Sequence, residues 1–495
     1  MSLLPSRRRI LEIIPGALVW ATFVFAIVLS FVEPLWVIYF IIVFDLYWLL
    51  RVLYFIIFLV YSWRKYQSAL KRNWFGELQV TLPQWREYYH VIFLPTYKEG
   101  QEIIEATLDA LLASQYAPDR FIVVLAGEER AGEHFTQVAK TIVEKYADKF
   151  GRFVVTVHPK DLSNEIASKG ANINYAGHEV KKLIDQMGVA HERCIVSAFD
   201  IDTIVHPQYF ACLTQAYLTH PDPEHTSFQP VVLYNNNIWE SPAPMRLAAF
   251  GTTFWLMTEL ARPDRLFTFS SHSMSFKALV DVGFWQKDVV SEDSRIFLQC
   301  FMHYDGHYGV APLYIPVSMD TVMSATTWQS LKNLYKQQRR WAWGVEHFPY
   351  MVETFARKPL IPLGKKIKYL WLQMEGMYAW ATTPILIFVL GRLPMAVANP
   401  SEKAVVIVQN APFVLEQLMS LAMTGILVTA TFSFFLLPPP PQARRVRGML
   451  FMVLQWLLLP VTSIIFSAVP AIDAQTRLML GKYLGFVVTE KVRKS

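Results

Sequence analysis

The chain has 495 residues, of which 53% are hydrophobic, 14% are aromatic and only 17% are charged, and its mean hydropathy is +0.27. This composition is too apolar for a wholly water-soluble protein and too charged for a wholly membrane-buried one, so we expect a membrane region and a soluble domain. Three cysteines without paired spacing argue against a disulfide framework or a zinc site. The net charge of +6 fits basic clusters beside anionic membrane lipids, and no interleaving of aromatic and basic residues indicates nucleic-acid binding.

The N-terminal region contains two apolar runs, residues 11–32 and 35–63, which are separated only by Glu33 and Pro34. Each run is long enough to cross a bilayer, so residues 1–65 are predicted to form a transmembrane hairpin. Basic clusters precede the first run and follow the second, and the positive-inside rule therefore places both ends in the cytoplasm. A cleaved signal peptide is disfavoured, because the first run is too long and no small-x-small site is evident. We expect a multi-pass protein of the plasma (inner) membrane.

Residues 66–366 alternate strand-like and helix-like patterns and are predicted to form one cytoplasmic α/β domain. An apolar strand near residues 89–94 ends in a polar loop, a helix follows, and a second strand near residues 120–125 leads to Glu128. This order predicts parallel pairing with a right-handed crossover. Backbone amides and side chains at such a strand-to-helix junction can hold a nucleotide base. The polar loop contains Pro95, Thr96, Tyr97 and Glu99.

A lysine and two asparagines crowd the start of a later helix, in the Lys-Gly-Ala-Asn-x-Asn sequence that begins at Lys169. A helix start with these side chains suits a phosphate or a ribose. An ordinary surface lysine is the alternative interpretation of Lys169.

The strand-like run that begins at Cys194 ends in two carboxylates, Asp200 and Asp202. Carboxylates two positions apart at the end of a strand point to the same side and can share one divalent cation. Mg²⁺ is usually held by one or two carboxylates plus substrate phosphates, so a nucleotide diphosphate is the expected third partner. The alternative is a solvated turn, since a chain of this size contains roughly one Asp-x-Asp by chance.

The second half of the domain contains three more candidate stretches. Residues 245–260, around Trp255, are predicted to form a helix that lies either against the membrane surface or in the core. A polar patch at residues 269–276 precedes Glu292 and Asp293, which begin a helix. Acids at a helix start are often dipole partners, and this is the alternative for Glu292. The functional interpretation of Asp293 is a general base that accepts a proton from an incoming hydroxyl.

Further along, Gln337, Arg340 and Trp341 are spaced to share one face of a helix. This face offers an amide for a sugar hydroxyl, a guanidinium for a leaving diphosphate and an indole plate for a pyranose. A basic, tryptophan-anchored interfacial helix is the alternative, and both can hold at once.

The C-terminal region contains three apolar runs, residues 369–393, 404–437 and 449–471. Three single crossings would place the basic C-terminal tail outside, against the positive-inside rule. We therefore predict that the run 449–471, bent at Pro460, is a re-entrant or surface-lying hairpin. The alternative is that the run 404–437 contains two elements.

The membrane runs also contain charged residues, and these are costly in lipid. Asp45, Arg51 and Glu375 are therefore candidates for a substrate pathway, although Glu375 can also be interfacial. Near Glu375, aromatic residues suggest a sugar channel above Trp341; they are Trp371, Tyr378 and Trp380.

Taken together, five ordered motifs resemble the membrane-embedded family 2 inverting glycosyltransferases, the group of cellulose and hyaluronan synthases. They are the loop at Pro95, the lysine motif at Lys169, Asp200-x-Asp202, Glu292-Asp293 and Gln337-x-x-Arg340-Trp341. The sequence Phe-Val-Val-Thr-Glu-Lys at residues 486–491 is also similar to the gating-loop motif of cellulose synthases.

The resemblance implies an α/β GT-A domain, Rossmann-like with a mainly parallel sheet, inserted between transmembrane α-helices. It implies a UDP-sugar donor with Mg²⁺ or Mn²⁺ held by Asp200 and Asp202, and Asp293 as the base. The implied donor-binding residues are Pro95, Thr96, Tyr97, Glu99, Glu128, Lys169, Gln337, Arg340, Thr489 and Lys491. The implied acceptor residues are Trp341, Glu292 and His272.

The chain departs from the family pattern after the second strand, where Glu128-Glu129-Arg130 stands in place of an Asp-Asp-Gly type sequence. On this interpretation, the chain divides into an N-terminal hairpin (1–65), the glycosyltransferase domain (66–366), a transmembrane or re-entrant region (367–471) and a cytoplasmic tail (472–495).

The leading functional hypothesis is a processive polysaccharide synthase that passes its product through its own channel. One alternative is transfer of a single sugar to a lipid acceptor, and another is a nucleotide-sensing channel or transporter.

Overall fold

A computed structural model describes residues 6–399, 406–440 and 445–485. The strands of its sheet are β1 Tyr89–Pro95, β2 Phe121–Glu128, β3 Arg152–His158, β4 Cys194–Ala198, β5 Ile204–Val205, β6 Thr226–Tyr234, β7 Ser273–Ser275 and β8 Gly309–Met319. The helices up to residue 303 are α1 Arg7–Val32, α2 Pro34–Lys71, α3 Trp74–Thr81, α4 Gln101–Leu112, α5 Glu133–Tyr146, α6 Lys169–Met187, α7 Tyr209–Thr219, α8 Ala243–Leu260, α9 Phe276–Asp281 and α10 Glu292–His303. The later helices are α11 Thr327–Ala342, α12 His347–Arg357, α13 Leu363–Phe388, α14 Leu393–Val397, α15 Val406–Phe435, α16 Arg445–Leu454, α17 Leu459–Ser463 and α18 Val469–Met479.

The eight strands form one mixed sheet in the order β3-β2-β1-β4-β7-β6-β8-β5. Strands β1 to β4 pair in parallel, as do β6 and β8, whereas β7 and β5 pair antiparallel to their neighbours. The predicted α/β domain with a mainly parallel sheet is therefore confirmed. Parallel strands end at one edge of the sheet, so the loops after β1, β2 and β4 meet there.

The central strands are buried because helices cover both faces of the sheet. All eight residues of β2 are buried, and so are the five central residues of β1. Continuous apolar runs of this kind are typical of strands in a parallel sheet that is covered on both sides.

Apolar helices flank this domain in the sequence. Among the residues that the structure describes, four helices are long and apolar enough to cross a membrane, and a pair of helices bent by 49° supplies a fifth candidate. The four are Arg7–Val32, Pro34–Lys71, Val408–Phe435 and Gly448–Met479, and the bent pair is Leu363–Phe388 with Leu390–Val397.

Helix α2 connects the membrane region to the soluble domain. Its 38 residues extend over roughly 57 Å, well beyond the thickness of a bilayer core. Near its C-terminal end, Ser62 donates a hydrogen bond to the carbonyl of Met257 in α8, and Tyr66 is part of the core of the α/β domain. The end of α2 is therefore fixed against the domain.

The run Gly448–Met479 follows a different path from the predicted hairpin. It continues as one helical run, in which the α-helix gives way to a 3-10 turn before Pro460 and to a π turn after it. Gln455 accepts a hydrogen bond from Arg246 at 2.6 Å, and Asp473 accepts one from Arg339 at 2.8 Å. Both contacts are with the α/β domain, whereas Ser467 accepts a hydrogen bond from Trp380 of α13 and Gln475 donates one to the carbonyl of Met377 in α13. The run therefore packs against both the domain and an apolar helix.

The alternative division of residues 404–437 is not observed, because α15 continues without a break from Val406 to Phe435. The number of membrane crossings and the domain boundaries at residues 65, 366 and 471 stay predictions.

Candidate active site

The two aspartates of the Asp-x-Asp motif lie in a turn beyond β4, and not within the strand. The strand ends at Ala198, and the amide of Thr203 donates to the carbonyl of Asp200 at 3.0 Å. Asp200 Oδ2 accepts from Ser270 Oγ at 3.1 Å, and Asp202 Oδ2 accepts from the backbone amide of Asp320 at 2.8 Å. Asp202 is fully buried, whereas 29% of the Asp200 side chain is exposed.

Lys169 joins three of the predicted motifs in one charge cluster. Its Nζ lies 2.7 Å from Asp200 Oδ1 and 3.1 Å from Asp293 Oδ1. Glu292 Oε1 is 3.6 Å away. Burial alone lowers the pKa of Lys169, but the carboxylates of Asp200, Asp293 and Glu292 outweigh it and raise the pKa above its ordinary value. Lys169 therefore stays charged and is not an ordinary surface lysine.

A glycine brings the helix that carries Lys169 close to the helix that carries the acids. A Cβ atom on Gly170 would lie 2.8 Å from the carbonyl oxygen of Gln286 and 3.0 Å from Cβ of Glu292. Only a residue without a side chain permits this approach of α6 to α10. The Ser168 hydroxyl caps the start of α6 by accepting from the amide of Ala171 at 3.2 Å.

Glu292 and Asp293 occupy the first turn of α10 but differ in exposure. A quarter of the Asp293 side chain is exposed, so its carboxylate can reach a substrate, whereas Glu292 is buried. Burial, together with the charge of Asp293, raises the pKa of Glu292 to about 7. Asp293 is the accessible carboxylate of the pair.

Tyr234, at the end of β6, lies near all three aspartates. Its burial raises its pKa well above the ordinary value, and the charges of Asp200, Asp202 and Asp293 raise it further. The phenol is therefore a neutral hydrogen-bond donor beside the cluster.

Helix α11 brings Gln337, Arg340 and Trp341 to the same site. The Trp341 ring centroid is 6.1 Å from that of Tyr234 and 6.2 Å from that of Phe269. A cavity of only about 10 Å³ lies between α11 and α8. Its lining includes Tyr234, Ala248, Asp320, Gln337 and Trp341.

The loop after β1 is held by its own glutamate. Glu99 Oε2 accepts hydrogen bonds from the hydroxyl of Thr96 at 2.9 Å and the amide of Tyr97 at 2.7 Å. The Arg130 guanidinium lies 4.5 Å from the centroid of the Tyr97 ring and forms an ion pair with Glu128. Glu99 thus shapes the loop, and the unusual Glu128 is neutralised by Arg130.

Two groups of predicted site residues differ in their placement. His272 is buried beneath the cluster, where its Nδ1 contacts the carbonyl of Phe269 at 3.0 Å and burial lowers its pKa. Thr489 and Lys491 lie outside the described residues.

Sequence reasoning missed several residues of this site, namely Tyr234, Ser270, Asp320 and Arg130. Tyr234 ends β6 and Asp320 follows β8, and the place of these two strands in the sheet was not predicted. Asp320 could have been predicted from the sequence, because it is an acid directly after the apolar strand β8.

The site suits a divalent cation on the basis of its charge and its ligands. Carboxylates outnumber the cationic side chains Lys169 and Arg340, which leaves an excess of negative charge for a cation to neutralise. Within the described ranges, no three His, Cys, Asp or Glu side chains converge in a metal-binding arrangement. Asp200 and Asp202 can supply two ligands and leave the others to phosphate oxygens and water, as is common for Mg²⁺.

Comparison with known proteins decides the family. The sequence model described as glycosyl transferase family group 2 matches residues 195–468, which is more than half of the chain. The chain belongs to this family. As a family 2 glycosyltransferase, the protein transfers a sugar from a nucleotide donor, and its α/β domain is a GT-A domain. No curated protein sequence matches the chain.

Solved structures also resemble this family 2 glycosyltransferase. The mannosyltransferase PcManGT from Pyrobaculum calidifontis, in complex with GDP-Man and Mn²⁺, is 16% identical, with a TM-score of 0.46 over 86% of this chain and 99% of the other. Residues 1–349 of TarS from S. aureus, in complex with UDP-GlcNAc, are 12% identical, with a TM-score of 0.37 over 69% of this chain and 90% of the other.

Proposed function

We propose that the protein is a divalent-cation-dependent, inverting transferase that moves a sugar from a UDP-sugar to an acceptor hydroxyl at the cytoplasmic face of the membrane. One observation carries this proposal: Lys169 holds Asp200, of the predicted cation site, and Asp293, the predicted base, within 3.1 Å of one ammonium. The resemblance of the motifs to cellulose and hyaluronan synthases supports UDP as the nucleotide.

Asp293 performs the proton transfer in this proposal. It takes the proton of the acceptor hydroxyl while the acceptor oxygen forms a bond to C1 of the donor sugar. The bond between C1 and the diphosphate oxygen breaks on the opposite face, and the nucleoside diphosphate leaves with that electron pair. Attack and departure on opposite faces invert the configuration at C1.

The charged side chains stabilise the leaving group. Asp200 and Asp202 would hold Mg²⁺ or Mn²⁺, which neutralises charge on the diphosphate when bound. Arg340 supplies a fixed positive charge for the leaving diphosphate. Trp341 offers its ring to the acceptor sugar, and Lys169 orients Asp293.

The helix packing favours a single addition to a membrane acceptor over processive elongation through a channel. Two of the aromatic residues that were expected to line a channel, Tyr378 and Trp380, form hydrogen bonds across helix contacts. Tyr378 bonds to Thr22 at 2.8 Å, and Trp380 donates to Ser467 at 2.7 Å. A Cβ atom on Gly16 would lie 2.7 Å from the carbonyl oxygen of Gln475, so α1 and α18 are closely packed.

Two of the three charged residues that were noted in the membrane runs, Arg51 and Glu375, pair with each other. Arg51 forms an ion pair with Glu375 at 3.0 Å, and Tyr47 donates to the same carboxylate at 3.2 Å. These contacts join α2 to α13 through Glu375.

The experiment is a screen of purified protein in detergent against UDP-sugars and GDP-sugars, with Mg²⁺ or Mn²⁺ present. We expect release of UDP, and we expect Asp293→Asn to reduce it on the order of 10²-fold or more while donor binding is retained. Asp148→Asn, at an exposed site between α5 and β3, is the control. Unchanged release in Asp293→Asn would refute the assigned base, and binding without any release would favour a nucleotide-sensing channel. A polymeric product would reinstate processive elongation.

A further inference from the structure

His347, the first residue of α12, bonds to the helix that contains the predicted base. Its ring is buried, and Nε2 lies 2.8 Å from the hydroxyl of Ser294 in α10. On the other side of the ring, Nδ1 lies 3.1 Å from Nε and 2.9 Å from Nη2 of Arg295. Ser294 and Arg295 directly follow Asp293 in the sequence. His347 therefore holds α10 at the two residues next to the base.

The partners of the His347 ring determine where its proton lies. An arginine side chain only donates, so Nδ1 accepts from Arg295 and the proton on Nε2 is donated to Ser294. The Ser294 hydroxyl in turn donates to the carbonyl of Ser291 at 3.3 Å. Burial and the charge of Arg295 lower the pKa of His347 well below its ordinary value, so the ring is neutral. Because Nε2 already carries a proton, it cannot take one from Ser294, and the pair is not an activated nucleophile.

The turn before His347 holds the segment that precedes the base. Glu346 accepts a hydrogen bond from the amide of Val290 at 3.3 Å and one from the indole of Trp343 at 2.9 Å. Trp343 is buried in a core that it shares with residues of α1, α13 and α18. The turn directly follows α11, the helix of Gln337, Arg340 and Trp341. It therefore fixes the first turn of α10 relative to α11.

We propose that His347 is a positioning residue for the transfer reaction, which holds the first turn of α10 through Ser294 and Arg295 so that the Asp293 carboxylate meets the acceptor hydroxyl. This inference rests on the proposed function and adds a residue to its machinery. A buried polar network of this kind specifies one arrangement only while its members stay bonded. Since the chemical step tolerates little displacement of a base, loss of these bonds should affect turnover more than donor binding.

The test compares His347→Leu and His347→Asn with His90→Leu in the full-length protein. Leucine removes both hydrogen bonds of the ring, whereas the amide oxygen of asparagine takes a place close to that of Nδ1 and can still accept from Arg295. His90 is a matched control, because it is also fully buried and bonds to a hydroxyl, that of Thr214, at 2.8 Å. It lies at the start of β1, whereas the site lies beyond the other end of this strand.

UDP release from the donor that the screen identifies gives kcat and the KM for the donor. We expect His347→Leu to lower kcat about tenfold while KM stays within about twofold, and His347→Asn to lose about threefold or less. His90→Leu should lower Tm and keep kcat within about twofold. An unchanged kcat in folded His347→Leu, or an equal fall of kcat in His90→Leu, would overturn the inference.

A second measurement places His347→Leu in the Asp293→Asn protein. If His347 acts through the base, its loss should change the remaining rate by less than about twofold. A tenfold loss in this background as well would show that His347 acts elsewhere. Should His347→Leu fail to fold, Ser294→Ala removes the receiving hydroxyl alone, and an unchanged kcat in that variant would also overturn the inference. Absence of donor turnover in the parent protein would refute the proposed function, and the inference with it.

Discussion

The Lys169 ammonium lies 2.7 Å from the Asp200 carboxylate, and this contact joins the start of α6 to the turn after β4. The same ammonium contacts Asp293 at the start of α10. One buried cation therefore sets the relative positions of three segments that are far apart in the sequence.

Removal of this cation should affect both stability and activity. Lys169→Met leaves the carboxylates around it uncompensated, and breaking a buried ion pair in this way costs about 3 kcal/mol of unfolding free energy. Thermal unfolding in detergent and the rate of UDP release measure the two effects. Lys182→Met, at a side chain that is 66% exposed, should change neither. If Lys169→Met and Lys182→Met unfold at the same temperature, the cluster around Lys169 does not stabilise the fold.

Glu292 should make stability depend on pH. Its pKa is raised to about 7, so the native state holds this proton more strongly than the unfolded state does. Stability is therefore expected to fall as pH rises from about 4.5 through 7, where the buried carboxylate becomes charged. Glu292→Gln stays neutral, and its Tm relative to the parent protein should increase between pH 5.5 and 8.5. Glu133→Gln, in the exposed first turn of α5, should show no such trend.

Asp473 should couple the C-terminal helical run to α11. It accepts hydrogen bonds from Tyr335 at 3.0 Å and from Arg339 at 2.8 Å, both on α11. A double-mutant cycle of Asp473→Asn and Arg339→Gln, measured by unfolding, should give a coupling energy of about 1 kcal/mol. The pairing of Arg477→Gln with Arg339→Gln is the comparison, because these two residues share Asp473 without a hydrogen bond to each other. Additive effects for Asp473 and Arg339 would contradict the coupling.

Arg130 should contribute to donor binding and not to chemistry. Its guanidinium covers the Tyr97 ring and pairs with Glu128, beside the loop that follows β1. Arg130→Ala should weaken donor binding roughly tenfold, about 1.4 kcal/mol, with little change in kcat. Arg152→Ala is the control, because this exposed arginine bonds to the carbonyl of Gly151. A fall in kcat alone would place Arg130 in the chemical step instead.

Chelation should stop the reaction. We expect EDTA to abolish UDP release, and Mg²⁺ or Mn²⁺ to restore it. Asp200→Asn should raise the cation concentration that gives half-maximal activity, since one of two protein ligands loses its charge. Asp281→Asn, at an acid on α9 that pairs with Lys277, serves as the control. Full activity in EDTA would exclude the proposed cation.

Local patterns in the sequence were sufficient for the architecture. Long apolar runs identified α1, α2 and α15, and the alternation of strands and helices identified the parallel part of the sheet. The acids after β4 and at the start of α10 were predicted correctly as a pair of candidate sites. Polar residues that directly follow an apolar strand or begin a helix can be recognised from the sequence alone. The antiparallel strand β7 was not foreseen, since three residues carry too little periodicity to indicate a strand.

Tertiary structure alone decided which of these residues meet. The expected contact of Lys169 with the nucleotide stays a prediction, and the sequence did not show that the close approach at Gly170 places its ammonium among Asp200, Glu292 and Asp293. Likewise, the run Gly448–Met479 has the composition of a membrane span, yet Gln455 and Asp473 bond to the α/β domain. Hydropathy and residue spacing indicate only the local structure that each segment can form. Long-range contacts depend on how helices and strands pack, and that packing determined both the charge cluster and the course of the chain beside it.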